Sequence, residues 1–386
     1  MPPVAITASG GILPYTIKKL ECYMSKLITV NYNQKPCYNI VIENDFSKLA
    51  EHVTKLEISG RKLAVITDSN VGPLYADKVA QCLKETGNNI FVYTFEAGEK
   101  NKNLNTVQDV YEFLIKNKFD RKDMLVALGG GVVGDLTGFA AATYLRGIDF
   151  IQVPTSLLAQ VDSSIGGKTG VDFRAYKNMV GAFHQPRLVY MNTSTLSSLN
   201  TRLFNSGFGE ILKHGLIKDA SYFQWLKDNI EKIAALDSGY LEEMIYRSCE
   251  IKRKVVENDP TEKGERAQLN FGHTLGHAIE KQMNFELYHG ECVVLGMIAA
   301  LNICVERGTI TKEEYDDIYN TFKAYNFPMT VDKTTIDEVI AASKNDKKMD
   351  GNKVKFILLK KVGEAYIDMT VDDNTMRRSL KNVVIE

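Results

Sequence analysis

Short apolar runs alternate with helix-length amphipathic segments over the first two hundred residues. Four of these runs predict buried strands, at residues 38–42, 62–67, 89–95 and 124–128. The segments between them have the apolar spacing of helices, at residues 46–56, 79–86 and 106–117. Strands and helices that alternate in this way predict a parallel sheet covered by helices, with ligands bound beyond the carboxyl ends of its strands.

The pattern changes in the second half of the chain. Helix-length periodic segments dominate residues 203–340, and strand patterns disappear there. Residues 353–359 and 364–369 then predict a hairpin, and a last helix follows Asp372.

These patterns predict a fold in two parts. Residues 24–200 are expected to form an α/β N-terminal domain with a parallel, Rossmann-like sheet, and residues 201–386 a mostly α-helical C-terminal domain. The cleft between the two is the expected ligand site. Because a strand-like run starts just after Met24, we expect the natural start there and residues 1–23 to be an N-terminal extension. An ordered N-terminal arm is the alternative.

Composition limits which partners the protein can attract and which cell compartment suits it. The chain has 386 residues, of which 44% are apolar and 25% charged, and a net charge of −1. A nearly neutral protein has no global field for nucleic acid or an acidic membrane, so anions must be bound by local groups of Lys and Arg. Six cysteines without a C-x-x-C spacing indicate a reducing, cytoplasmic compartment. No apolar run approaches the roughly 20 residues of a membrane-spanning helix.

A glycine-rich loop at residues 129–135 (GGGVVGD) follows a predicted strand and opens a predicted helix. Glycines let the backbone approach a pyrophosphate, and a helix N-terminus supplies N–H donors. The spacing G-x-G-x-x-G is met, but the loop follows earlier strand–helix units, and no acidic residue ends a following strand. The better ribose candidate is Asp68, at the end of an earlier strand. The alternative is a tight packing turn.

Cations and amides gather around a second glycine-rich segment. Asp162, Lys168, Lys177 and Asn178 lie within 17 positions. Further cations lie upstream at Arg146 and downstream at Lys213, Lys252 and Arg266. In a nearly neutral protein this combination predicts a phosphate or carboxylate substrate, whereas any one of these cations alone is better explained as a solvated surface charge.

Three of the six histidines lie close together in sequence, at His273, His277 and His289. The first two have i, i+4 spacing on one helix face, and Glu210 lies upstream in an apolar segment where a charge needs a partner or a metal. One carboxylate and two imidazoles are a ligand set for catalytic Zn²⁺. Spacing alone nominates His273 and His277 as the imidazole pair and does not decide which histidine stays off the metal. Structural histidines are the alternative.

Taken together, these segments closely resemble the 3-dehydroquinate synthases, a family of sugar-phosphate cyclases. The resemblance extends from about Met24 to the C-terminus, and it rests on residues 129–147, 153–171, 177–186, 207–215, 266–280 and 289–297. Several of these segments are long, including VPTSLLAQVDSSIGGKTGV and RAQLNFGHTLGHAIE, and their order matches the family.

The resemblance implies roles for individual residues. It implies a Zn²⁺ or Co²⁺ ion on Glu210, His273 and His289, with His277 off the metal, in contact with substrate and available for proton transfer. The implied substrate-binding residues are Arg146, Asp162, Lys168, Lys177, Asn178, Lys213, Lys252, Arg266, Asn270 and Lys348. Those with an implied catalytic role are His277, Glu262, Lys168, Lys213 and Asn178. The implied NAD-binding residues are Asp68, Asn70, Glu99, Lys102, Gly130, Gly131, Asp135, Thr155 and Ser156.

The family reaction converts 3-deoxy-D-arabino-heptulosonate 7-phosphate to 3-dehydroquinate and phosphate, in the shikimate pathway of aromatic amino acid biosynthesis. It uses NAD⁺ because oxidation of the C5 hydroxyl makes the neighbouring C–H acidic enough for phosphate to leave. The resemblance also implies a homodimer. The alternatives are related cyclases such as 2-epi-5-epi-valiolone and 2-deoxy-scyllo-inosose synthases, metal-dependent alcohol dehydrogenases such as glycerol dehydrogenase, and a non-catalytic NAD-binding module.

Overall fold

The computed structural model of the chain describes residues 26–174, 176–284, 286–344, 349–350 and 353–386. The predicted extension at residues 1–23, the predicted start at Met24 and the predicted substrate residue Lys348 lie outside the described residues.

The first half of the chain is built from strands and helices in alternation. Its strands are β1 (Lys26–Tyr32), β2 (Lys35–Glu43), β3 (Lys62–Asp68), β4 (Asn89–Phe95), β5 (Met124–Gly129), β6 (Asp149–Pro154), β7 (Lys168–Phe173), β8 (Tyr176–Phe183) and β9 (Leu188–Asn192). Its helices are α1 (Leu49–Thr54), α2 (Gly72–Lys84), α3 (Leu104–Lys116) and α4 (Gly131–Thr143). Seven strands form one sheet in the order β1-β2-β9-β6-β5-β3-β4.

The sheet is parallel except at one edge, where β1 runs antiparallel to β2. The predicted parallel sheet is therefore confirmed, and β1 adds an antiparallel strand at its edge. Its connection to β2 is the turn at Asn33 and Gln34, both with positive φ (50° and 63°). A turn of two residues can join only antiparallel strands, whereas a parallel pair needs a long crossover.

Strands β7 and β8 form a separate antiparallel ribbon that packs on α4. The sequence did not indicate these strands, because glycines interrupt their apolar pattern. Gly170 and Gly181 lie opposite each other, and a Cβ on Gly181 would lie 2.3 Å from the Thr169 carbonyl oxygen. The glycines therefore allow the close backbone approach of the ribbon, which carries Lys168 at its start.

The second half is mainly helical, as expected. Its helices are α5 (Thr201–Lys218), α6 (Ala220–Asp228), α7 (Ile230–Ala234), α8 (Ser238–Asn258), α9 (His273–Gln282), α10 (His289–Glu306), α11 (Lys312–Ala324), α12 (Ile336–Ser343) and α13 (Asp373–Leu380). Its strands are β10 (Met349–Asp350), β11 (Lys353–Val354), β12 (Phe356–Lys361) and β13 (Glu364–Asp368). The predicted hairpin is β12–β13.

The largest hydrophobic cluster does not stop where the helices begin. It joins Ile28 and Val30 of β1 and Ile40 of β2 to buried side chains of α5, α8, α9 and α10. Within the described residues α10 alone is long and apolar enough to cross a membrane, but 78% of it is buried inside the protein, which is typical of a core helix. The α/β half and the helical half are thus held together by a shared core.

Candidate active site

The glycine loop has the strand–turn–helix geometry that the sequence predicts. β5 ends at Gly129, Gly130 has an extended conformation, and α4 begins at Gly131. A Cβ on Gly130 would lie 3.4 Å from Ser156 Oγ, and the Thr155 N–H donates to the Gly129 carbonyl oxygen at 3.0 Å. The predicted NAD-binding residues of this loop therefore meet at the carboxyl ends of β5 and β6, where a helix N-terminus offers N–H donors to an anion.

Asp68 ends β3, the strand next to β5, so it lies at the same edge of the sheet. Its Oδ1 accepts hydrogen bonds from the N–H groups of Asn70 and Val71, each at 2.9 Å. These bonds fix the turn after β3. Asn70 is exposed at this turn.

Lys102 links three predicted site residues from separate segments. Its side chain is buried, and Nζ lies 2.6 Å from both Asp135 Oδ2 and Asn178 Oδ1. Burial raises the pKa of Asp135, and the nearby Lys102 ammonium opposes that effect. Glu99 stands three residues before Lys102, and its Oε1 lies 3.8 Å from Lys177 Nζ. The segments predicted for NAD and for substrate therefore touch each other here.

Three helices bring the predicted metal ligands together. Glu210 lies in the middle of α5, whereas His273 and His289 are the first residues of α9 and α10. Glu210 Oε1 lies 3.6 Å from His273 Nε2 and 3.5 Å from His289 Nε2. Ligand atoms about 2.1 Å from one tetrahedral ion are separated by about 3.4 Å, so these spacings suit a single ion.

Each imidazole has an acceptor beside its other nitrogen. The Phe271 carbonyl oxygen lies 3.1 Å from His273 Nδ1, and Glu280 Oε2 lies 3.7 Å from His289 Nδ1. Acceptors in these places favour a proton on Nδ1 and a lone pair on Nε2, the form that binds a metal. His277, one turn after His273, has its ring centroid 5.0 Å and 5.7 Å from those of His273 and His289.

Glu210 is fully buried, and its two oxygens have different surroundings. Oε2 pairs with Lys213, whereas Oε1 accepts no hydrogen bond from the described residues. Burial alone would raise the pKa of Glu210, but Lys213 and His289 lower it to about 2. For His289, burial alone would lower the pKa, but Glu210 and Glu280 raise it to about 9. A buried carboxylate oxygen without a donor is where a cation is needed.

The other predicted cations are paired with carboxylates beside this centre. Lys252 of α8 binds Asp162, which lies on a single π-helical turn (Ala159–Ser163). Burial would raise the pKa of Asp162, but Lys252 and Lys213 hold it well below its usual range. Lys168 pairs with Glu262, whose Oε1 accepts from Asn270 at 3.0 Å.

Arg266 and Arg146 have contrasting positions. Arg266 is buried and donates to the Pro260 carbonyl oxygen at 2.7 Å and, more weakly, to that of Gly166 at 3.4 Å. Arg146 is exposed at a turn after α4 with a positive φ of 71°. Among the described residues, no hydrogen bond or ion pair joins Arg146 to the other predicted substrate residues.

Two residues that the sequence did not nominate belong to this centre. Glu280 follows His273 by seven positions, so i, i+4, i+7 spacing puts it on the same face of α9 as both histidines. That spacing was the signal that could have identified it. His214 is fully buried, its Nδ1 lies 2.7 Å from Ser248 Oγ, and burial with the Lys213 charge lowers its pKa to about 3. One of its ring nitrogens lies within 4.8 Å of a carboxylate oxygen of both Asp162 and Glu210.

Known proteins resemble this chain over nearly its whole length. A 3-dehydroquinate synthase from Acetivibrio thermocellus is 44% identical over 352 residues, which cover 91% of this chain and 97% of that protein. Another, from Ruminiclostridium cellulolyticum, is 40% identical over 358 residues, which cover 93% of this chain and 98% of that protein.

Solved structures of sugar-phosphate cyclases share the fold. A 2-epi-5-epi-valiolone synthase from Streptomyces hygroscopicus with NAD⁺ and Zn²⁺ bound matches with a TM-score of 0.83 and 25% identity, over 91% of this chain and 98% of that one. A 2-deoxy-scyllo-inosose synthase in complex with carbaglucose-6-phosphate, NAD⁺ and Co²⁺ matches with a TM-score of 0.82 and 25% identity, over 93% and 99%.

Family models match both halves of the chain. The one described as 3-dehydroquinate synthase N-terminal matches residues 92–206, and the one described as 3-dehydroquinate synthase C-terminal matches residues 207–349. With the identities above and a mostly parallel sheet followed by helices, the chain belongs to the 3-dehydroquinate synthase family.

Proposed function

We propose that the chain converts 3-deoxy-D-arabino-heptulosonate 7-phosphate to 3-dehydroquinate and phosphate, with NAD⁺ and a Zn²⁺ or Co²⁺ ion as cofactors. The observation that carries this proposal is the position of Glu210 Oε1, which is buried, accepts no hydrogen bond from the described residues, and lies 3.5–3.6 Å from the Nε2 atoms of His273 and His289. Family membership supports the substrate, a phosphorylated sugar acid. The free cysteines among the described residues support a cytoplasmic location.

The donor set supports the metal assignment. Glu210, His273 and His289 would hold the ion, and the acceptors beside both Nδ1 atoms favour a proton on Nδ1, which leaves Nε2 of each ring as the nitrogen available to a metal. Bound there, a Zn²⁺ or Co²⁺ ion lowers the pKa of a substrate hydroxyl. Lys213 keeps Glu210 ionised and ready to bind a cation, because its ammonium faces the other carboxylate oxygen.

The sheet edge supports the position of the dinucleotide. Gly130, Gly131, Thr155 and Ser156 would face its pyrophosphate, and Asp68 would hold a ribose. NAD⁺ held there would supply reversible hydride transfer, the chemistry needed to oxidise a substrate hydroxyl for a time and then restore it. Asp135 holds Lys102 at the helix N-terminus, and Lys102 in turn holds Asn178 of the substrate segment.

The paired cations would bind the charged ends of the substrate. Lys168, Lys177 and Asn178 lie on β7 and β8 and would hold the phosphate, whereas Arg266 and Lys252 would hold the carboxylate or hydroxyls. Since the Lys168 ammonium and the Asn270 amide lower the pKa of Glu262, a phosphate that draws Lys168 away raises that pKa. Glu262 Oε then becomes a proton acceptor, and a ring nitrogen of His277 serves a further proton transfer.

The proposed enzyme is a homodimer. The β7–β8 ribbon exposes Phe173, Tyr176, Met179 and Phe183, with exposed fractions from 41% to 62%. Phe173 and Tyr176 are cross-strand neighbours, and exposed apolar side chains grouped on one ribbon are typical of a protein–protein contact. Light scattering checks the dimer, and Phe183→Lys is expected to shift it towards monomer.

A phosphate-release assay tests the reaction. The heptulosonate phosphate is mixed with enzyme and a catalytic amount of NAD⁺, with and without a chelator. We expect many phosphates released per NAD⁺, no accumulation of NADH absorbance, and loss of release after chelation. Net NADH would indicate an alcohol dehydrogenase, and release only from sugar phosphates without a carboxylate would indicate another cyclase.

A further inference from the structure

We propose that Glu280 is a positioning residue of the metal centre. It holds the His289 ring with Nε2 facing Glu210, and it binds Lys177 from the α/β half of the chain at the same time. The inference rests on the proposed function, since it concerns the ion that Glu210, His273 and His289 would hold.

The two carboxylate oxygens of Glu280 face two different groups. Oε2 lies 3.7 Å from His289 Nδ1, and Oε1 lies 2.9 Å from Lys177 Nζ. The Glu280 side chain is only 7% exposed, so the carboxylate itself is largely shielded from water, whereas Lys177 is 35% exposed. A buried carboxylate needs compensating groups, and Glu280 has an imidazole on one side and an ammonium on the other.

The contact with His289 acts on the metal through the ring. His289 Nε2 is 3.5 Å from Glu210 Oε1, so the Nδ1 side has to carry the proton if Nε2 is to bind an ion. A carboxylate beside Nδ1 favours that tautomer, limits rotation of the ring and makes Nε2 a stronger base. His273 receives the same assistance from the Phe271 carbonyl oxygen, which no side-chain substitution removes. Of the two acceptors that orient the imidazoles, Glu280 is therefore the one that a substitution can remove.

The contact with Lys177 connects the metal centre to the strand that would bind phosphate. Lys177 lies on β8, next to Asn178, and 103 residues separate it from Glu280 in sequence. A phosphate that attracts Lys177 leaves the Glu280 carboxylate with the His289 Nδ1–H as its remaining polar contact among the described residues. Because that strengthens the hold on the ring, substrate and metal bind with positive coupling.

Three variants separate positioning of His289 from a general loss of a buried charge. Glu280→Ala removes the contact, and Glu280→Gln keeps the volume and an oxygen that can accept from Nδ1. Glu291→Ala is the matched control. Glu291 is also buried, two residues after His289, but it binds Arg202 at 2.6 Å and the Tyr288 N–H at 2.8 Å.

Co²⁺ affinity by chelator competition and the visible spectrum of bound Co²⁺ are the readouts. We expect Glu280→Ala to weaken Co²⁺ binding by about 10- to 100-fold and to alter the spectrum. Glu280→Gln is expected to lose less affinity than Glu280→Ala but to remain measurably weaker than wild type. Glu291→Ala is expected to keep both the affinity and the spectrum, even where its melting temperature falls. Phosphate release by the wild-type enzyme is measured in parallel.

Wild-type Co²⁺ affinity in Glu280→Ala, or an equal loss in Glu291→Ala, would overturn the inference. If Glu280→Ala does not fold, Glu280→Gln decides, and a wild-type spectrum and affinity in that variant count against the positioning role. If the wild type releases phosphate while the Glu280 variants bind Co²⁺ normally, only the inference fails. If Co²⁺ binding depends on Glu280 but the wild type releases no phosphate, only the proposed function fails.

Discussion

The glycine-loop edge of the sheet and the proposed metal centre of the helices differ in the groups that they offer to a ligand. The first offers mainly backbone atoms, and the second offers side chains. At the sheet edge the groups proposed to face the ligand are mainly backbone N–H groups, accessible because Gly130 and Gly131 have no side chain. At the metal centre they are buried carboxylates and imidazoles, with Glu210 held by Lys213. Ligand binding at the glycine loop depends on the absence of side chains, whereas binding at the proposed metal centre depends on the balance of buried charges. Substitutions in the two regions should therefore have different effects.

The largest effect is expected for the charge-dependent region. Glu210→Gln keeps the volume but removes one ligand charge and leaves the Lys213 ammonium buried without its anion. We expect loss of bound metal and a fall in phosphate release of at least about 10³-fold, since metal stabilisation of charge contributes several kcal/mol. Metal analysis of the dialysed protein and initial rates check this. Glu242 is another buried glutamate of the helical half, and the Glu242→Gln variant should keep its bound metal. Equal losses of metal in both variants would contradict a specific role for Glu210.

A pair of glycine variants compares the two regions directly. A Cβ on Gly290 would lie 2.1 Å from the Ser206 carbonyl oxygen, so Gly290→Ala forces α10 away from α5. We expect a loss of about 1–3 kcal/mol in unfolding free energy, measured in urea, with weaker metal binding because His289 and Glu210 move apart. The nearest atom to a Cβ on Gly130 would be Ser156 Oγ at 3.4 Å, an ordinary van der Waals distance.

Gly130→Ala should therefore unfold at the wild-type urea concentration while NAD⁺ affinity falls, as followed by fluorescence titration. The comparison would break if Gly290→Ala kept wild-type stability or if Gly130→Ala kept wild-type NAD⁺ affinity.

Lys168→Ala tests whether the substrate cations act apart from the dinucleotide site. Lys168 pairs with Glu262, and hydrogen bonds to charged groups contribute about 1.5–3 kcal/mol. We expect kcat/KM for the heptulosonate phosphate to fall by about 10- to 100-fold with little change in NAD⁺ affinity. Lys227→Ala, which breaks a pair with the exposed Asp317, is the control and should leave both values unchanged. A collapse of NAD⁺ binding in Lys168→Ala would place that residue in the other region.

The smallest effect is a pH dependence of stability. The pKa of His214 is about 3 in the folded chain against 6.5 for the ordinary group, so between these values the unfolded state binds more protons. Stability then rises with pH, and the contribution of neutral His214 is present above pH 6.5 and lost on acidification. Between pH 6 and pH 5 the unfolding free energy of the wild type should fall by about 1 kcal/mol more than that of the His214→Asn variant, as measured by urea unfolding. Parallel pH profiles would contradict this.

Local patterns were sufficient where one segment determines the structure. The β5–loop–α4 unit, the helical second half and the β12–β13 hairpin were predicted because apolar spacing and glycines act over a few residues. The β7–β8 ribbon was missed because Gly170 and Gly181 interrupt its pattern, and their purpose is visible only when the two backbones meet.

Long-range contacts account for what the sequence left open in the site. Spacing nominates His273 with His277, and the structure adds what spacing does not show: Glu210 Oε1 lies near the Nε2 atoms of His273 and His289, from three separate helices. Ligand atoms of His273, His277 and His289 also lie within 4.8 Å of one another. The Lys177–Glu280 contact joins residues 103 positions apart, which no periodicity reveals. The roles implied for individual residues remain predictions, and the variants above test them.

The carboxylates paired with Lys168, Lys177, Lys213 and Lys252 have a consequence for how the substrate arrives. With a net charge of −1 and these four site lysines paired with carboxylates, the protein projects little positive potential into solution. An incoming sugar phosphate is therefore not attracted from a distance, and its capture rate should vary little with ionic strength. Binding instead requires the charged groups of the ligand to replace the protein carboxylates beside the lysines, at short range. This exchange favours a ligand whose charged groups match the spacing of the ammonium groups, and it disfavours free phosphate.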